Sequence, residues 1–300
     1  MDYEIPEYRK TYGSYHNSAS GATQPLYEHL LKLYLRKEMK MNFPFAARPR
    51  AGQIVQSAVD YHLGLDEYSP LHGRKEGMDI EKAVTKARTE YMTYQPRTFD
   101  DGKDREEYEH FKSVIDIMTR HAVEGLHEYF GDGEIEGEYQ RWHQDDWLDV
   151  PTMLFQDYCG QGKQIDLKCS FPMRNPVRKD GTRTWRNPKP KTEPTPQQLI
   201  QQAVYWKATG DKPALLFVTP EGWHICDDSN CELMKPEYLE EAYLEARQRW
   251  YVVQTILQSA DGSWKNLFSY AQPDFGLIGQ RHGPEILKLS KQLWRLESDA

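Results

Sequence analysis

The 300-residue chain carries 38 lysines and arginines against 46 aspartates and glutamates, a net charge of −8, with 38% hydrophobic residues. That length can bury a substantial core as one elaborated domain or two, and the acidic balance excludes a protein that coats nucleic acid through a uniformly basic surface. No run approaches the ~20 apolar residues of a membrane span, and the opening Met1-Asp2-Tyr3-Glu4-Ile5-Pro6-Glu7 is too acidic for a signal peptide, so a soluble, cytosolic protein is expected.

In chain order, a helix is expected over Gln24–Lys40, where Leu26, Leu30, Leu31 and Leu33 give partial helical periodicity before a Phe43-Pro44-Phe45 break. A second starts near Pro49 and runs through Ile54, Val55, Ala58 and Val59 towards Leu63, with Gly52 and Gln56 on one face. From about Ile80 to Phe130 the pattern is helical again. Phe111, Val114, Met118, Ala122 and Leu126 predict one long amphipathic helix there, closed by Gly131. At Glu134 the period changes to two, and Ile135, Gly137, Tyr139 and Arg141 alternate with Glu134, Glu136, Glu138 and Gln140 as in a strand.

Strands are predicted over Thr152–Tyr158 and Gln164–Cys169, joined by the glycine-containing turn Cys159-Gly160-Gln161-Gly162-Lys163 as an antiparallel hairpin. Thr195 and Pro196 read as N-cap and first residue of a helix that Gly210 ends. Ala214–Thr219 reads as a buried strand that Pro220-Glu221-Gly222 turns into Trp223–Cys226. Beyond Pro236, Leu239, Tyr243, Ala246, Trp250, Val253 and Leu257 recur at steps of four and three, a stripe for packing on the parent domain or, as the sharper alternative, for a dimer contact. The expected architecture is an α/β domain with a central mixed sheet flanked by helices over 1–235, and a C-terminal helical extension over 236–300 packed on it.

Alternate strand residues face one side, so Asp166 and Lys168 point together and the hairpin brings Asp157 beside them. Crowded carboxylates repel each other, and such hard oxygen ligands suit a divalent cation such as Mg²⁺ or Mn²⁺. A metal there can polarise a phosphoryl oxygen and activate water, while Lys168 orients or helps deprotonate that water and offsets negative charge. The four cysteines contain no CxxC pair, and no HisGluxxHis, GxSxG or phosphate-binding glycine loop is present. Between Arg174 and Lys191 the chain is locally basic: Arg174, Arg178, Lys179, Arg183, Arg186, Lys189 and Lys191 are opposed only by Asp180. This segment reads either as a solvated loop or as a DNA-contacting flap, with arginines on phosphates and Trp185 stacking on a base.

Asp157 followed by Ile165-Asp166-Leu167-Lys168-Cys169-Ser170 resembles the metal-binding strands of the PD-(D/E)XK nucleases, and within them the RecB-like exonuclease branch. Gln201-Gln202-Ala203-Val204-Tyr205 is similar to that branch's QxxxY signature, in the expected place downstream. The resemblance implies a restriction-endonuclease-like core, with Gln201 and Tyr205 helping to hold the lysine and the DNA backbone. Ala51-Gly52-Gln53-Ile54-Val55-Gln56 resembles the family's upstream helix motif, but Gln56 stands where the family has a histidine that can bind metal. Glu136 or Glu138 is then the more natural further ligand, with Glu138, deeper in the predicted strand, ranked first. The family's iron–sulphur branch places cysteines on both sides of the core. Here none precedes Cys159 and none follows Cys231, so no cluster is expected. The implied function is Mg²⁺- or Mn²⁺-dependent DNA hydrolysis, exonucleolytic, in recombination, repair or replication, with a single-strand-binding or recombination protein as a partner. A structure-specific or restriction-like endonuclease with the same centre is the second reading, and a catalytically inactive DNA-binding relative the third. A stand-alone nuclease of this size resembles those carried by phages, acting in the host cytoplasm.

Overall fold

Glycine, proline and short polar caps set most element boundaries in the computed structural model, which describes residues 3–42, 46–65, 76–93, 102–137 and 139–295. In chain order the elements are α1 (Glu7–Tyr12), β1 (Asn17–Ser18), α2 (Ala19–Ala22), α3 (Leu26–Lys37), α4 (Ala47–Leu63), α5 (Ile80–Thr93), α6 (Lys103–Phe111), α7 (Ile115–Phe130), β2 (Tyr139–His143), β3 (Thr152–Gln156), β4 (Tyr158–Gly160), β5 (Lys163–Cys169), β6 (Met173–Arg174), β7 (Trp185–Arg186), α8 (Pro196–Thr209), β8 (Lys212–Thr219), β9 (Gly222–Cys226), α9 (Pro236–Ser259), α10 (Trp264–Ser269) and α11 (Phe275–Arg295). The expected Phe43-Pro44-Phe45 break and Glu138 lie outside the described residues.

The start of α8 shows local sequence acting alone. Thr195 accepts from the Gln198 N–H, the Gln198 side chain returns the bond to the Thr195 N–H, and Pro196 takes the first turn. Gly210 then ends the helix in the left-handed conformation at φ 75°. The long helix expected through Phe111 and Leu126 is instead two, α6 and α7. Ser113 sits in the break, where its hydroxyl donates to the His110 carbonyl at 2.7 Å and competes with the helical ladder. The strand expected from Glu134 is ordered as β2 only from Tyr139, and Glu136 forms an isolated bridge with Cys159. The strand expected over Thr152–Tyr158 is interrupted at Asp157, which separates β3 from β4.

The chain forms two compact units: Met1–Pro44, Arg141–Leu154 and Glu240–Ala300 in one, Phe45–Gln140 and Phe155–Leu239 in the other. The expected division after residue 235 falls near the observed boundary at Leu239, but the N-terminal segment belongs with the C-terminal helices and not with the core. The reason is the breadth of the apolar surface of α3. Leu30 and Leu33 share a buried cluster with Tyr12, Leu257 and Phe268, while Leu31 and Leu35 share another with Ile278 and Ile286. The α9 stripe is also spent on intramolecular packing, since Leu239, Tyr243, Ala246, Trp250 and Leu257 are all buried.

In the second unit a four-stranded sheet runs in the order β4-β5-β8-β9. Strands β4 and β5 are antiparallel, β5 and β8 parallel, and β8 and β9 antiparallel, so the sheet is mixed and the unit α/β. The parallel pair requires a crossover, which α8 supplies. One face carries Ile165, Leu167, Ala214, Leu216 and Val218 into a core with α4 and α7. Leu215 and Phe217 point the other way, into a cluster that includes Leu199 of α8. Strand β8 is therefore buried on both faces, which explains its unbroken apolar run. Among the described residues no helix is long and apolar enough to cross a membrane.

The first unit is tied by a buried guanidinium. Arg9 is fully buried, and its Nη2 and Nε donate to the two carboxylate oxygens of Asp149 at 2.6 and 3.0 Å, a fork that the Tyr8 hydroxyl joins. Asp149→Ala would leave that charge buried without its anion. The expected loss is about 3 kcal/mol of unfolding free energy, measured by urea denaturation with circular dichroism; a loss no larger than an exposed ion pair gives would refute the assignment.

Candidate functional site

The hairpin β4–β5 positions the acidic pair. Gln161 and Gly162 take positive φ of 54° and 70°, as a two-residue type I′ turn requires, and this fixes the register. Tyr158 stands opposite Ile165 and Cys159 opposite Gln164. The next step along the ladder sets Asp157 across from Asp166, and the Asp157 Oδ2 accepts the Leu167 N–H at 2.9 Å. The bend at Asp157 thus frees a carboxylate from its own strand and clamps it to the neighbouring one.

Asp166 is buried, and its Oδ2 forms an ion pair with the Lys168 ammonium without the geometry of a directed hydrogen bond. Lys168 Nζ donates to Gln201 Oε1 at 3.1 Å, and Gln201 Nε2 donates to the Tyr205 hydroxyl at 2.8 Å. The order Asp157–Asp166–Lys168–Gln201–Tyr205 is a continuous polar chain running from the sheet into α8. Gln201 and Tyr205 stand one helical turn apart, so a single face of α8 supplies both. The structure brings these five residues together.

Burial, and then the negative charge of Asp166, raises the Asp157 carboxyl well above its ordinary value; Lys168 and the Leu167 N–H oppose this only in part. For Lys168, burial lowers the ammonium, but Asp166 and Asp157 together outweigh it and the net direction is upward. The two carboxylates thus favour the ammonium form of Lys168. Burial, and then Asp157, pushes the Cys169 thiol up to about 12, so it is no thiolate nucleophile.

Other expected residues stand apart. Gln56 lies on α4, which packs on the face bearing Ile165, Leu167 and Cys169, opposite Asp166 and Lys168; its amide makes no hydrogen bond to either carboxylate among the described residues. Glu136 is exposed, and its carboxylate contacts the Cys159 thiol at 3.9 Å. Among the described residues no group of three or more His, Cys, Asp or Glu side chains is placed to hold a metal. The hard-oxygen donors are thus the Asp157 and Asp166 pair. That set fits a cation such as Mg²⁺, which is commonly bound by one or two carboxylates with waters and substrate phosphates completing the shell.

The basic segment is a β-hairpin, not a structureless loop. Strands β6 and β7 pair Met173 with Arg186 and Arg174 with Trp185, and the Arg178 N–H bonds the Thr182 carbonyl at the tip at 2.8 Å. Its cations divide into two groups. Arg174 and Arg183 reach Glu106 at 2.7 and 3.3 Å and hold that carboxyl below its usual range. Arg178, Lys179 and Arg186 are exposed. Trp185 stacks on His110, ring centroids 4.0 Å apart and planes 7° from parallel, and packs against the core. It anchors the hairpin, and that face is not open to a base. Glu106 and His110, one turn apart on α6, escaped the sequence reading because nothing local marks a helix face that will meet a distant hairpin.

Compared with known proteins, the chain matches no family model, no curated protein and no solved structure.

The sign of the Asp157 shift has a stability consequence. A carboxyl raised in the folded state weakens folding as pH rises from its unfolded value through its folded one. In EDTA, Asp157→Asn should therefore melt a few degrees above the parent at pH 7.5, with the difference vanishing at pH 4. A variant less stable than the parent at pH 7.5 would contradict the electrostatic account.

Proposed function

We propose that the chain is a metal-dependent DNA nuclease of the PD-(D/E)XK type, of the RecB-like branch, with the second unit as a restriction-endonuclease-like core. The observation that carries this reading is the ion pair of the buried Asp166 carboxylate with Lys168, with the Asp157 carboxylate clamped to the same strand at the Leu167 N–H and an amide and a phenol behind the lysine on the following helix.

Each group has a task in phosphodiester hydrolysis. Asp157 and Asp166 would hold Mg²⁺ or Mn²⁺, which supplies Lewis-acid polarisation of the phosphoryl oxygen and a lowered pKa for water. Lys168 presents a fixed positive charge to the scissile phosphate and, as an ammonium, donates to whatever oxygen approaches. Gln201 orients that ammonium through its Oε1. Tyr205 fixes the Gln201 amide through its hydroxyl, so the helix sets the aim of a side chain on the sheet. The exposed cations of the hairpin suit phosphate backbone contact, which positions a strand without reading its sequence.

A linear end-labelled duplex with Mg²⁺ should be degraded, closed circular DNA should survive, and EDTA should abolish activity. Lys168→Ala should cost about 10²–10³-fold in rate, on the scale of removing one preorganised charge-stabilising donor. Unchanged degradation by Lys168→Ala would end the assignment, cutting of circles would shift it to an endonuclease, and inactivity of the parent with every divalent cation would favour a non-catalytic DNA-binding relative. At the hairpin, the Arg178→Ala and Lys179→Ala double variant should weaken DNA binding and flatten the salt dependence, log Kd against log salt, by about one per lost phosphate contact. An unaltered slope would remove the hairpin from the interface.

A further inference from the structure

The first unit contains two adjoining cavities of opposite character. One, of about 260 Å³, is walled by apolar groups including Leu26, Val252 and Val253. Three buried polar atoms that have no hydrogen-bond partner among the described residues belong to side chains lining it: Gln24 Oε1, His29 Nε2 and Trp250 Nε1. Trp250 is only 3% exposed, so its N–H has lost water without gaining an acceptor. Orphaned groups of this kind are rare in folded proteins, and three around one cavity form a donor and acceptor set with nothing between them.

The second cavity, of about 390 Å³, is lined by Lys32, Arg36, Lys37 and Lys40, with no carboxylate among the described residues on its walls. Three of them donate to neutral acceptors: Arg36 to the Asn42 amide oxygen, Lys37 to the Lys10 carbonyl and Lys40 to the Lys37 carbonyl. Four like charges on one stretch of chain repel one another and attract an anion.

His16, Ser18, Gly21 and His29 line both cavities, so the two share a wall. Gly21 keeps that wall low, since a Cβ there would come within 2.9 Å of the Ser18 hydroxyl and 3.8 Å of the His29 ring. Burial, then the positive charges of Lys32, Arg9 and Arg36, lowers His29 to about 4, so its ring is neutral at neutral pH and offers one N–H and one lone pair.

We propose that this double cavity is a nucleotide site: a heteroaromatic base sits between Gln24, His29 and Trp250, and its phosphate lies among Lys32, Arg36, Lys37 and Lys40. A flat ring matches the small apolar chamber, and a base edge carries both an acceptor for the Trp250 N–H and a donor for the Gln24 oxygen. The adjoining cations account for the phosphate. The site lies wholly in the first unit and does not depend on the nuclease reading.

Calorimetric titration of the full chain in EDTA with deoxyadenosine monophosphate, deoxyadenosine and inorganic phosphate tests it. The nucleotide should bind saturably, and the nucleoside and phosphate each at least about tenfold more weakly. Trp250→Phe, which removes the N–H and keeps an aromatic ring, should weaken the nucleotide about tenfold. The Lys32→Met and Arg36→Met double variant, changed at residues that are not part of the core, should abolish the preference for nucleotide over nucleoside. Asp166→Asn should bind like the parent, which separates this site from the carboxylate cluster. Displacement of the bound nucleotide by a 5′-phosphorylated oligonucleotide would assign the site to a strand end, and failure to displace it to the free nucleotide; either upholds the site. No saturable nucleotide binding at millimolar concentration, or binding indifferent to both the Trp250 and the lysine–arginine changes, overturns it.

Discussion

Two carboxylates held in contact on neighbouring strands, with one ammonium too few to neutralise them, form the constraint on which the second unit turns. Taken out of water, such a pair is costly to ionise. The fold nevertheless enforces it, through a tight turn that sets register, a bend that releases Asp157 from its strand and a backbone N–H that clamps it to the next. Lys168 cancels one charge, and Gln201 with Tyr205 keeps Lys168 from swinging away. A cluster built so deliberately against its own repulsion is better explained by what it can bind than by what it contributes to stability. A purely structural role would be served as well by a single aspartate–lysine pair.

Much of this was legible in the residues, for physical reasons that can be named. Capping chemistry is local, so Thr195, Pro196 and Gly210 marked α8 to the residue. Alternation is local too, and the glycines after Cys159 announced a hairpin whose register put Asp157 beside Asp166. What was illegible depended on distant partners. Ser113 breaks a helical stripe whose apolar spacing runs on undisturbed through Phe111, Val114 and Met118, so periodicity alone joined α6 to α7. Gln56 belongs to α4, and only the packing shows that the apolar residues of this helix meet the sheet on the face that bears Ile165 and Leu167. Trp185 reads as an exposed aromatic in a basic segment until His110 is found stacked on it.

The division into units was the hardest feature to foresee. The broad leucine surface of α3 demands partners on more than one side, and nothing within the helix says that those partners lie more than two hundred residues downstream. The buried Arg9–Asp149 fork makes the same point with charge: each residue is unremarkable in its own segment, and the pair exists only because residues 141–154 return to the first unit. The two neighbouring cavities beside α3 were equally invisible, because His29, Lys32 and Arg36 follow one another along α3 while Trp250 reaches them from α9, more than two hundred residues downstream.

Strand β5 is hydrogen-bonded on both sides, to β4 and to β8, and this governs how the carboxylate cluster can change. A backbone stitched along both edges exchanges its amides slowly and opens only with the unit as a whole, so Asp166 and Lys168 ride on one of its least deformable segments. Adaptation to different substrates would then be cheapest in the projecting β6–β7 ribbon, whose tip touches little, while the acidic strand stays nearly frozen across any lineage that keeps this sheet.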